Sequence, residues 1–127
     1  QGKDAILFVS GGILETAKEV ILQLKKHNIN IALYSVPTIK PLNKKIYIDI
    51  IKRSKYIFTL EEHSIIGGLG SAIAELISEN NLQTALIRLG TPDKFTSITG
   101  SAEYLLKYNK LSTGQIIQTI KKQLKRV

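Results

Sequence analysis

Four short apolar runs, each followed by a stretch of helical periodicity, constrain this chain more than any other feature. AILFVS (Ala5–Ser10) has polar residues before it and Gly11–Gly12 after it, the pattern of a strand buried on both faces of a parallel sheet. Beyond it, Leu14, Ala17, Val20, Ile21 and Leu24 fall on one helical face and Glu15, Lys18, Glu19 and Lys25 on the other. The pattern stops near His27–Asn28. IALYSV (Ile31–Val36) predicts a second strand, ended by Pro37, and PTIKPLN keeps the backbone extended or turned. Asn43 is placed to cap a helix that runs to about Ser54 with Ile46, Ile50 and Ile51 inward. YIFTL (Tyr56–Leu60) predicts the third strand, Ser71–Ser78 a packed helix, and TALIRL (Thr84–Leu89) the fourth strand. RLGTPDKF reads as a loop; GSAEYLLKYNKL and TGQIIQTIKKQLKRV read as two closing helices, the second with Ile116, Ile117, Ile120 and Leu124 on its apolar face.

Strands that alternate with helices need crossover connections, so the expected fold is α/β: a three-layer α/β/α sandwich with a mostly parallel sheet. With 127 residues, the chain has the length of a single domain spanning 1–127. A chain without methionine and with Gln at position 1 is expected to be a fragment of a longer polypeptide.

Composition narrows the function classes. The absence of cysteine excludes disulfides, thiolate zinc sites and Cys nucleophiles, and it fits a cytoplasmic location. Lys and Arg number 18 against 10 Asp and Glu, for a net charge of +8. The basic residues are scattered, mostly near helix ends where they suit the dipole, and aromatic interleaving is missing; a solvated surface is expected rather than nucleic-acid binding. No apolar run approaches the roughly 20 residues of a membrane span.

In open parallel sheets, ligands gather where strand C-termini meet helix N-termini. Three places qualify here: Ser10–Gly12, Val36–Asn43 and Glu61–Ser71. The last is the most distinctive, because Gly67, Gly68 and Gly70 let the backbone turn tightly ahead of a helix N-terminus. It does not match a dinucleotide fingerprint, since Ile73 stands where the third glycine belongs, and it has no Walker Lys-Ser/Thr pair. Close packing against a neighbouring domain is therefore favoured over a phosphate cradle. Glu61 and Glu62 are adjacent on a strand and point to opposite faces, so they do not form a carboxylate pair. Glu62 and His63 invite an acid–base reading, but no nucleophile motif accompanies them, and His63 is read as an interface residue. Two isolated histidines make no metal site. Arg88 and Asp93 flank the RLGTPDKF turn, where an Arg–carboxylate pair would pin the loop.

The segments GKDAILFVSGG, YSVPTIKPLN, TLEEHSIIGGLGSAIAE, RLGTPDKF and GSAEYLLKYNKLSTGQI, in that order, resemble the C-terminal domain of the transketolase family over essentially the whole chain. The wording looks most like the second subunit of split bacterial transketolases; 1-deoxyxylulose-5-phosphate synthases and oxo-acid dehydrogenase β subunits share the domain. The resemblance implies a parent enzyme that moves two-carbon ketol units between sugar phosphates with thiamine diphosphate and Mg²⁺, both held on other domains. It implies a homodimer in the intact enzyme, and a sheet that usually carries an antiparallel strand just before GKD. On this segment it implies no cofactor, no metal and no catalytic residue. Glu62, His63, Gly67, Gly68, Gly70 and Ser71 are carried over as binding or interdomain-contact positions. The rival expectations are a small-ligand or nucleotide-binding regulatory module and a partner-docking module.

Overall fold

The computed structural model describes residues 3–37, 42–64, 68–91 and 111–125. Four strands, β1 (Ala5–Ser10), β2 (Ile31–Ser35), β3 (Tyr56–Ser64) and β4 (Ala85–Thr91), form a sheet in the order β2-β1-β3-β4. Every pairing between them is parallel. Helices α1 (Leu14–Lys25), α2 (Lys44–Ile51), α3 (Leu69–Glu79) and α4 (Thr113–Leu124) complete the described elements, with a short 3-10 turn at Gly11–Ile13 leading into α1. The α/β expectation holds. The predicted helix over GSAEYLLKYNKL lies outside the described residues, apart from its last residue, Leu111.

Alternation along the strands divides the core into two apolar layers. Leu7, Val9, Phe58 and Leu60 face α1 and α4, where they meet Ala17, Val20, Leu24, Ile116 and Ile120. Ile6, Phe8 and Ile57 face α2 and α3, where they meet Ile50, Ile51, Ile73 and Leu76. All six β1 residues are buried, as a central strand covered on both faces requires. Phe8 adds ring contacts to Tyr34 and Tyr47, with centroids 5.7 and 5.6 Å apart.

The helix ends follow local chemistry. Asn43 caps α2 as expected, its side chain accepting the Ile46 N–H at 3.3 Å. Ser112 and Gln115 form a reciprocal capping box on α4. α1 and α3 are each followed, within three residues of their last, by an asparagine at positive φ, Asn28 (62°) and Asn81 (51°). In each case the next residue reaches back five positions, Ile29 N–H to the Leu24 carbonyl and Leu82 N–H to the Ile77 carbonyl, both at 3.0 Å.

Some boundaries and one burial differ from expectation. α3 begins two residues earlier than predicted, at Leu69, with Gly68 as its N-cap and Glu61 accepting its first two N–H groups. β3 runs four residues past Leu60. Ile46 does not turn inward: it is 52% exposed, and Tyr47 takes its place beside Ile50 and Ile51. Tyr47 lies at i+3 and i+4 spacing from both isoleucines, which Ile46 does not.

Truncation of Phe8, fully buried with two ring partners, is expected to cost about 3–5 kcal/mol, whereas Leu22→Gln on the exposed face of α1 stays within about 0.5 kcal/mol. Urea unfolding of the two variants checks the contrast; equal midpoints would refute the core assignment.

Candidate functional site

β3 is the longest strand, and its last residues carry the site. On β3 the odd positions Ile57 and Thr59 point to the α2/α3 layer, and Phe58 and Leu60 point to the α1/α4 layer. Glu61 continues the odd series. Its side chain is 1% exposed and reaches the first turn of α3: Oε1 accepts the Leu69 N–H and Oε2 the Gly70 N–H, each at 2.8 Å. One carboxylate thus takes two of the N–H groups that a helix start leaves without intrahelical partners. Charge-assisted bonds and the positive helix end both favour an acid here. Sequence reasoning named Glu61 only to set aside a carboxylate pair. The signal that finds it is strand parity, which aims it at the helix behind the glycines.

Glu62 goes the other way, as its place in the alternation predicts. Its Oε1 lies 3.0 Å from where a Cβ on Gly12 would stand, so the β1–α1 turn passes closely under the carboxylate. Gly11 just before it adopts φ 82°, a left-handed turn that glycine makes without steric cost. A side chain at Gly12 would displace Glu62.

The pairing of β3 with β4 is irregular at this point. Leu60 pairs with Leu89 and Ser64 with Thr91, so Glu61, Glu62 and His63 stand opposite Gly90 alone. Such a bulge bends a strand and re-aims its side chains. Here it falls on the stretch where two neighbouring carboxylates part.

Gly70 needs its missing side chain for packing within the domain. A Cβ there would meet Arg88 Cδ at 2.8 Å and Thr59 Oγ1 at 3.0 Å. Thr59 and Arg88 are register partners on β3 and β4, so together they press on the first turn of α3. The Thr59 hydroxyl is fully buried, with no hydrogen-bond partner among the described residues.

Of the sequence-selected positions, Gly68 is the N-cap of α3, Gly70 and Ser71 lie in its first turn, and Glu62 covers the β1–α1 turn. His63 lies on β3 with its side chain outside the described atoms, and Gly67 is outside the described residues. Among the described residues no group of three or more His, Asp or Glu side chains converges on a metal-sized space, and no helix is long and apolar enough to cross a membrane.

The described residues thus form a parallel sheet with helices on both faces, in which the N-terminus of α3 is capped by the buried Glu61 of β3. A family model described as "Transketolase, C-terminal domain" matches residues 1–116, and the chain belongs to that family. It is similar to a protein of Methanocaldococcus jannaschii named as a transketolase C-terminal section, with 37% identity over 98% of this chain and 38% of that protein. It is also 39% identical, over 74% of its length, to 15% of a 1-deoxy-D-xylulose-5-phosphate synthase from Halothermothrix orenii. Among solved structures it is similar to a split-gene transketolase described as an inactive beta4 tetramer, with 28% identity and a TM-score of 0.83 over 98% of this chain and 39% of that one. The chain thus spans less than two-fifths of each of these relatives.

Replacing Glu61 with Gln puts an amide NH₂ against one of two buried N–H donors and is expected to destabilise the fold by about 2–3 kcal/mol. Thr59→Val removes an unpartnered buried hydroxyl and is expected to be neutral or to stabilise by up to about 1 kcal/mol. Denaturant titration of both reads the contrast; a tolerated Glu61→Gln would show that the cap carries little.

Proposed function

We propose that this chain is the C-terminal contact domain of a thiamine-diphosphate enzyme that transfers two-carbon ketol units between sugar phosphates, and that it carries out no chemistry by itself. The observation that carries this reading is the Glu61 cap. A diphosphate needs open N–H donors or converging cations. The first turn of α3, where the glycine turn invites it, already gives two N–H groups to a carboxylate, whose charge also opposes an incoming phosphate. Mg²⁺ needs converging oxygen ligands, and no cluster of three acidic or histidine side chains is found among the described residues. The described residues do not fit the cofactor, which this reading assigns to the larger part of the enzyme that the relatives possess and this chain does not span.

Glu62, His63, Gly67, Gly68 and Ser71 are assigned to contact with the adjoining domains or subunit, and the intact enzyme is taken to be a homodimer. Gly70 serves packing inside the domain instead, since Arg88 and Thr59 fill the space beside it. A second reading has one specific support: the 39% identity to a deoxyxylulose-phosphate synthase, which would make that synthase the parent. The assembled parent separates the two by forming 1-deoxy-D-xylulose-5-phosphate or by exchanging ketol units between sugar phosphates.

Calorimetric titration of thiamine diphosphate with Mg²⁺, and separately of nucleotides, into the chain is expected to give no saturable heat, and the chain alone is expected to show no ketol transfer. Micromolar cofactor binding would overturn the reading; saturable nucleotide binding would favour a regulatory module in its place.

A further inference from the structure

The end of the sheet where the strands begin, opposite the glycine turn, carries a cationic groove. A cavity of about 480 Å³ lies between Lys3, the α1–β2 connection at Ile29, the α2–β3 connection at Arg53 and Lys55, and Leu124 of α4. A second cavity of about 400 Å³ shares Ile29 and Leu124 with the first and continues to Lys121 and Lys125. The two chambers therefore meet across an aliphatic pair, which is half-buried and packed on the α1/α4 core layer.

The charge of this groove is one-sided. Lys3, Arg53, Lys55, Lys121 and Lys125 line it, and none of the five forms an ion pair among the described residues. The one carboxylate in the lining, Asp4, is already engaged, its Oδ2 accepting the Asn30 N–H at 2.7 Å. The α4 dipole accounts for cations in that helix's last turn. It does not account for Lys3 and Lys55, which precede strands β1 and β3 and line the same cavity.

Each chamber falls within the roughly 300–1,000 Å³ of small-ligand sites. A compact anion would use only one of them, however, and would leave the aliphatic pair and the second set of cations unused. An extended chain with carboxylates on either side of an apolar side chain uses all three.

We propose that this groove docks an acidic segment of a separate partner polypeptide, its apolar side chain seated on Ile29 and Leu124, its carboxylates meeting Arg53 and Lys55 on one side and Lys121 and Lys125 on the other. The inference does not depend on the functional reading above. The groove and the glycine turn lie at opposite ends of the strands, so both contacts are compatible in one assembly.

The test is fluorescence anisotropy of a labelled peptide of glutamates interrupted by leucines, titrated with the 127-residue chain. Saturable binding is expected. It should weaken about tenfold or more on combining Arg53→Glu with Lys55→Glu, and likewise on combining Lys121→Glu with Lys125→Glu. The charge-matched pair Lys44→Glu with Lys45→Glu, on α2 outside the groove, should leave it unchanged. Polyglutamate without leucines should bind more weakly. Four results would each overturn the proposal: no binding by the unaltered chain; equal loss in the α2 pair, which marks net-charge attraction; equal affinity for polyglutamate; or displacement of the peptide by inorganic phosphate at matching concentration, which marks a compact anion site.

Discussion

The first turn of α3 is held by a carboxylate that the chain has placed out of solvent. Glu61 at 1% exposure is tolerable only because both oxygens receive backbone N–H groups. The dependence is mutual, since the N–H groups of Leu69 and Gly70 have no intrahelical acceptor to turn to. Strand end and helix start are therefore specified together, and neither position is free to change alone. The tight fit of Gly70 beneath Arg88 and Thr59 follows from the same geometry, because the cap draws the first turn of α3 down onto the sheet.

This arrangement changes what a glycine-rich strand-to-helix turn signifies. In nucleotide-binding sheets the glycines clear space for a phosphate, and the helix N-terminus waits for its charge. Here the charge is supplied by the protein's own strand, and the space at Gly70 is occupied by its own side chains. The same turn class thus becomes internal architecture. The domain so built spans less than two-fifths of the relatives it matches.

Much of this was legible in the residues, and the limits have physical reasons. The four strands and their helices could be read because each apolar run is closed by glycine, proline or a capping residue; Asn43 and the 3.6-residue pattern of Ile116, Ile120 and Leu124 are clear cases. Ile46 was misplaced because it matches Ile50 alone at i+4, whereas Tyr47 matches both Ile50 and Ile51 at i+3 and i+4. The extension of β3 to Ser64 was hidden because Glu61, Glu62 and His63 look like loop residues, and the burial of Glu61 depends on N–H groups eight and nine positions later. The divergence of Glu61 and Glu62 was foreseeable from alternation alone. The role of Glu61 was not, because a capping acid that precedes its helix by a whole turn of chain lies outside the local window where caps are sought.

The parity of β3 carries a further consequence, for how the sequence of this domain can vary in length. Glu61 serves α3 and Glu62 overlies the β1–α1 turn because they are consecutive on a pleated strand. Gain or loss of a single residue between Ile57 and Glu61 would exchange their faces, turning Glu61 away from α3 and bringing Glu62 round to it. A change of two residues would preserve the faces, though it would shift the reach to the helix. The length of this strand is therefore tied, in steps of two, to the identity of the acid that faces α3.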